Sequence, residues 1–155
     1  MKVSDILRVK GQSGGTLFTI DPTETLVTAV NVMAEKDMGS LLVMERGNLV
    51  GLLTFREVIQ ALHRNGGALG DNTVRSAMDD HPLTCTPDTD IDEVRRMMLE
   101  SHGRYMPVIE NRQLEGVISF YDVAKSVVDS QNFENKMLKA YIKDWPSGTP
   151  DNEGK

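Results

Sequence analysis

Two short segments pair a hydroxyl with a carboxylate three residues on: Thr54 with Glu57, and Ser119 with Asp122. Each follows an apolar run, Gly51 to Leu53 or Gly116 to Ile118, and opens a helical pattern. Local chemistry reads each pair as a capping box. The hydroxyl satisfies one free N–H of the first helical turn and the carboxylate another, worth about 1 kcal/mol. The same groups can also serve a ligand, because a hydroxyl can cap the helix while its carboxylate partner faces outward. Arg56 beside Thr54, and Arg104 ahead of Ser119, add cations. The helix start itself favours an anion.

The two pairs belong to an internal repeat. Gly51-Leu52-Leu53-Thr54-Phe55-Arg56-Glu57-Val58 recurs 65 residues later as Gly116-Val117-Ile118-Ser119-Phe120-Tyr121-Asp122-Val123. Gly, Phe and the final Val are identical, and only Arg56/Tyr121 is not conservative. A repeat on this scale fixes the architecture before function is considered.

Each half opens with an amphipathic stretch, Val3 to Leu7 or Val74 to Met78. A strand follows at Leu17 to Ile20, and at Leu83 to Thr86, each running into a proline, Pro22 or Pro87. Leu26, Ala29, Val30 and Met33 then form one apolar helical stripe, which Ile91, Val94 and Met98 repeat. Asp90 and Glu93 predict a capping box at the second of these helices. Gly39 and Gly103 predict left-handed C-caps. Two strands come next, Leu41 to Met44 with Leu49 to Leu53, then Tyr105 to Ile109 with Leu114 to Ser119. Gly103 stands 64 residues after Gly39, so one extra residue is expected here, aligning Arg104 with Ser40 and His102 with Met38. A closing helix completes each β-α-β-β-α unit. The expected division is a first unit at 1–64, a glycine-rich linker at 65–72, a second unit at 73–130, a helical extension at 131–144 and a flexible tail at 145–155.

Composition limits the partners. The net charge of −6 argues against nucleic acid, since binding a polyanion by counterion release needs a basic surface. No run approaches the ~20 apolar residues of a membrane span, and no secretory h-region follows Met1. The single Cys85 fits a cytoplasmic protein. Ser13-Gly14-Gly15 lacks the ending of a phosphate-binding P-loop. His63, His81, His102 and Cys85 lack metal-ligand spacing, so no metal is expected. The nine Met residues are expected to fill core gaps.

From Val3 to about Val128 the chain resembles the CBS family, and specifically a tandem CBS pair, or Bateman module. The resemblance rests on the pattern Gly-apolar-x-Thr/Ser-x-x-Asp, complete from Gly116 to Asp122 and carrying Glu57 in place of Asp in the first copy. It implies an α+β fold of two pseudo-twofold-related β-α-β-β-α units packed sheet to sheet, with two clefts between them. It also implies an adenosine-containing ligand: AMP first, then NAD, ATP or ADP, and S-adenosylmethionine. The function implied is a regulatory nucleotide sensor acting through a conformational or dimer change, with no catalytic residues.

On that reading the second cleft is built from Thr84, Cys85, Pro87, His102, Gly103, Arg104, Tyr105, Met106, Pro107, Ser119 and Asp122. The first uses Thr19, Ile20, Pro22, Met38, Gly39, Ser40, Leu41, Thr54, Arg56 and Glu57. A carboxylate suits a ribose because it accepts from both hydroxyls of a cis-diol. Arg104 is the first candidate for phosphate and Arg56 the second. Glu57 is one methylene longer than Asp122, so the Ser119/Asp122 cleft is expected to bind better, leaving the other weaker or suited to a different ligand such as a dinucleotide. Val127, Val128, Met137, Leu138 and Tyr141 make the last helix apolar enough to expect a homodimer through it and the CBS helices, with an unknown regulated protein as partner. The alternative is a constitutive dimeric scaffold with vestigial clefts. An enzyme is disfavoured because no base, nucleophile and oxyanion site converge.

Overall fold

The structure is a computed structural model and describes residues 1–12 and 17–143. The chain divides into two compact units, Met1–Val123 and Ala124–Lys155. In the first unit, helix α1 (Val3–Gln12) leads to strand β1 (Thr19–Ile20), helix α2 (Leu26–Lys36), the hairpin β2 (Ser40–Glu45) and β3 (Asn48–Thr54), and helix α3 (Phe55–Arg64). The short helix α4 (Val74–Ala77) opens the second repeat. Helix α5 (Ile91–Ser101), the hairpin β4 (Tyr105–Glu110) and β5 (Gln113–Ser119), and helix α6 (Phe120–Lys143) follow. The fold is α+β, with sheets ordered β1-β2-β3 and β4-β5. Strands β3 and β5 approach each other between the repeats.

The 65-residue spacing holds through both repeats. Helix α2 buries Leu26, Ala29 and Met33, and α5 buries Ile91, Val94 and Met98. Helix α2 ends at Asp37 (φ 52°) and α5 at His102 (φ 57°). These left-handed residues are the C-caps in place of the expected Gly39 and Gly103. Ser40 pairs with Thr54, and Tyr105 with Ser119; both ladders slip at the same place, after Val43 and after Val108. The expected extra residue is therefore absent. Tyr105 is the counterpart of Ser40, Gly39 that of Arg104, and Asp37 that of His102.

Two further expectations change. Asp90 makes no side-chain cap bond at the start of α5. Its backbone bridges Lys2, and the Met1 carbonyl takes the Ile91 N–H, so backbone groups satisfy the helix start. The strand expected at Leu83 to Thr86 contracts to one parallel bridge, Cys85 to Val108. Pro82 and Pro87 bracket it and remove ladder donors on both sides.

Each repeat is completed by the segment that precedes the other. Val3 and Ile6 of α1 lie in one core with Ile91, Val94, Met98, Met106, Val108, Ile118 and Val123 of the second repeat. Val74 and Ala77 of α4 lie in the other, with Ile20, Leu26, Ala29, Met33, Leu41, Val43, Leu53 and Ala61. The backbone follows the same exchange. Val3 N–H donates to the Thr89 carbonyl, and Val74 N–H to that of Glu24. Full burial of a valine contributes roughly 1.5–3 kcal/mol, so each exchanged helix adds materially to the core it enters.

From Ala124 onward the second unit continues α6 as far as Lys143, and Val128, Met137 and Leu138 are exposed on it. The Tyr141 side chain and the expected tail at 145–155 lie outside the described residues. No described helix is long and apolar enough to cross a membrane.

Candidate functional site

Both hydroxyl–carboxylate pairs are capping boxes. Glu57 Oε1 accepts from the Thr54 N–H at 2.8 Å and the Thr54 hydroxyl at 2.6 Å, while Thr54 Oγ1 accepts from the Arg56 N–H. Asp122 Oδ2 accepts from the Ser119 N–H at 2.9 Å, and Ser119 Oγ accepts from the Asp122 N–H at 3.1 Å. Each carboxylate is thus fixed at a strand-to-helix turn. Glu57 is buried, and none of its oxygens is paired with a cation among the described residues.

Beside Thr54 and Glu57 lies a cleft of about 630 Å³. One wall comes from β3 and α3, with Leu52, Thr54, Phe55, Arg56, Glu57, Ile59 and Gln60. The facing wall comes from α5 and the start of β4, with Met98, Ser101, His102, Gly103, Arg104, Tyr105 and Met106. Asp79, His81, Pro82 and Leu83 complete the rim. They are held there because Asp79 and Leu52 exchange both backbone hydrogen bonds at 2.9 Å, extending the sheet past β3.

Chemically the cleft is divided. Leu52, Met98 and Met106 are buried and give it an apolar floor, and Phe55 and Ile59 add exposed apolar surface. Arg56 and Arg104 bring two positive charges, neither in an ion pair among the described residues. His81 is engaged by the Asp80 carboxylate at 2.8 Å, and that contact lowers the Asp80 pKa. Burial raises the Tyr105 hydroxyl pKa, and Arg104 partly offsets this. An apolar floor with cations and a fixed carboxylate at its margins can hold a flat heterocycle joined to a polar, anionic group.

The cleft draws on both sets of expected residues. Thr54, Arg56 and Glu57 meet His102, Gly103, Arg104, Tyr105 and Met106, which sequence alignment places with Ser119 and Asp122. The reason is the close approach of the repeats. Tyr105 neighbours Ser119 in its own ladder, yet its hydroxyl and the Phe55 ring both lie against Gly39 of the first repeat. The other expected residues do not line the cleft. Ile20, Pro22, Ser40, Leu41 and Pro107 are buried, Met38, Gly39 and Pro87 are half-buried, and Thr19 and Thr84 are exposed. Cys85 is a core residue whose thiol burial pushes up to about 11. Ser119 and Asp122 stand outside the cleft, with Asp122 paired to Lys10 at 2.9 Å.

Phe55, Ile59, Leu52, Gln60, Met98, Ser101 and the 79–83 rim are cleft residues that sequence reasoning missed. Phe55 carried a signal, being an aromatic repeated as Phe120 yet 57% exposed. The rim has no sequence pattern, because backbone pairing places it.

The CBS domain family matches this chain twice, at residues 15–64 and 74–129. A solved protein with CBS domains from Burkholderia ambifaria MC40-6 is 30% identical, with a TM-score of 0.78, over 84% of this chain and 96% of that one. The CBS domain pair of MJ0100, solved with 5′-methylthioadenosine and S-adenosyl-L-methionine, is 20% identical with a TM-score of 0.72, over 84% and 98% of the two chains. CBSX2, solved in complex with AMP, is 20% identical with a TM-score of 0.67 over the same shares. These last two share the fold. Two matched segments, the 65-residue repeat and the paired capping boxes converge on one assignment: the chain belongs to the CBS domain family and carries the domain in tandem.

Proposed function

We propose that this chain is a regulatory adenine-nucleotide sensor whose ligand-ready cleft is the one at Thr54 and Glu57. One observation carries the reading. Two arginines without carboxylate partners among the described residues and one fixed carboxylate surround an apolar-floored cleft built from both repeats. Its volume lies in the range of small-ligand sites, roughly 300–1,000 Å³. The adenine packs on Leu52, Met98 and Met106, the ribose meets Glu57, and Arg104 and Arg56 take the phosphate. AMP is the first ligand, followed by NAD, ATP or ADP, and S-adenosylmethionine. The adenosine ligands of MJ0100 and the AMP of CBSX2 support this class.

The cleft is read as a binding site and not a catalytic one. A ligand touching both repeats favours whichever relation between them it binds better, and that differential affinity is the signal. The cytoplasmic module acts as a homodimer through its CBS helices and α6, where Tyr121, Val128, Met137 and Leu138 offer exposed apolar surface. Its signal passes to a regulated protein partner.

Thermal unfolding with AMP, ATP, NAD and S-adenosylmethionine tests the reading. At a hundred times Kd the expected stabilisation is about 2.7 kcal/mol. If none of the four raises Tm, the sensor reading is wrong.

A further inference from the structure

The two capping carboxylates have different neighbours. Asp122 Oδ2 accepts from the Lys10 ammonium at 2.9 Å as well as from the Ser119 N–H, whereas Glu57 has no cation partner among the described residues. The same ammonium donates to the Val117 carbonyl at 2.8 Å. Val117 is the counterpart of Leu52, whose carbonyl is taken by the Asp79 N–H.

The repeats therefore satisfy one carbonyl in two ways. After α4 the backbone turns extended at Met78, pairs with Leu52 and runs on to the cleft rim. Helix α1 instead stays helical through Lys10 and reaches Val117 with a side chain. That side chain also neutralises Asp122. The pair is partly sheltered, with side-chain exposures of 34% for Lys10 and 15% for Asp122.

We infer that Lys10 is a built-in competitor that holds Asp122 against a ribose and so confines the ligand to the Thr54/Glu57 cleft. This rests on the nucleotide reading above. A diol approaching Asp122 has to displace an ammonium held by two oxygens, and a pair in which both partners are charged outweighs a neutral hydroxyl on the same carboxylate.

The test is isothermal titration of the full chain with AMP, comparing the parent with Lys10→Met, Lys10→Ala and Lys10→Met/Asp122→Ala. Two Lys10 variants are used so that one failing to fold, as judged by circular dichroism, leaves the other. The parent is expected to bind one AMP per chain. Each Lys10 variant is expected to gain a second site, on the order of tenfold tighter than any second event in the parent. Adding Asp122→Ala is expected to remove it. One site in the parent and in both Lys10 variants overturns the inference and leaves the nucleotide reading standing, as do two equal sites in the parent. A second site that survives Asp122→Ala also overturns it. Binding only in the Lys10 variants keeps the inference and overturns the assignment to the Thr54/Glu57 cleft. Binding in none of the proteins overturns both.

Discussion

Gly51 lies directly against Asp79: a Cβ on Gly51 would stand 2.9 Å from the Asp79 carbonyl oxygen and 2.5 Å from Met78 Sδ. The missing side chain lets residues 78 and 79 dock on β3 and sets the cleft rim. Gly116, its repeat counterpart, faces instead the Cδ2 of Leu7, at 2.7 Å from such a Cβ. A leucine tip can move and a paired backbone cannot. Gly51→Ala is therefore expected to destabilise by about 2–3 kcal/mol and Gly116→Ala by about 1 kcal/mol. Urea unfolding of both variants checks this, and equal losses would contradict it.

The hairpin turns offer a stabilising change. Arg46 and Gly47 join β2 to β3 with φ of 52° and 80°, and Asn111 and Arg112 join β4 to β5 with 52° and 65°. Two consecutive positive φ values mark a type I′ turn, for which Asn-Gly is the favoured pair. Arg112→Gly is expected to stabilise by about 1 kcal/mol, since a non-glycine residue pays for the left-handed region. A Tm at or below that of the parent would contradict this.

Much of the architecture was legible from residue spacing, and the failures have physical causes. The stripes of α2 and α5 and the two hairpins follow from periodicity and recur at one offset. Gly39 and Gly103 misled because glycine is the usual left-handed cap, whereas Asp37 and His102 adopt that conformation here. That one-residue slip set Arg104 against Ser40. The exchange of α1 and α4 could not be read, because Val3/Ile6 and Val74/Ala77 are equally apolar and neither names its core. Thr54, Glu57, Arg56 and Arg104, expected from the sequence, all line the cleft. Which wall faces which depends on packing between the repeats, and the 79–83 rim depends on backbone pairing.

Burial of Cys85 gives a pH dependence. With its thiol pushed up to about 11, the folded state keeps the proton after the unfolded chain has lost it. Fewer protons on the unfolded chain mean that stability falls as pH rises. The stability difference between the parent and Cys85→Ala is expected to shrink between pH 9 and 11, by up to roughly 2–3 kcal/mol. Paired urea titrations across that range check it, and a constant difference would contradict it.

The two arginines predict a charge-selective loss. Arg104→Ala and Arg56→Ala are each expected to weaken AMP binding about tenfold to a hundredfold, the scale of a hydrogen bond to a charged group. Uncharged adenosine is expected to lose little. If both ligands weaken equally in titration calorimetry, these residues do not contact phosphate.

Hydrogen exchange of the parent chain with and without AMP tests the central claim most directly, because it reports where the ligand sits without any substitution. The account predicts slowed exchange at residues 54–57 and 102–106 together, with Ser119 to Asp122 unchanged. Slowing confined to Ser119–Asp122, or no slowing anywhere at saturating AMP, would contradict it.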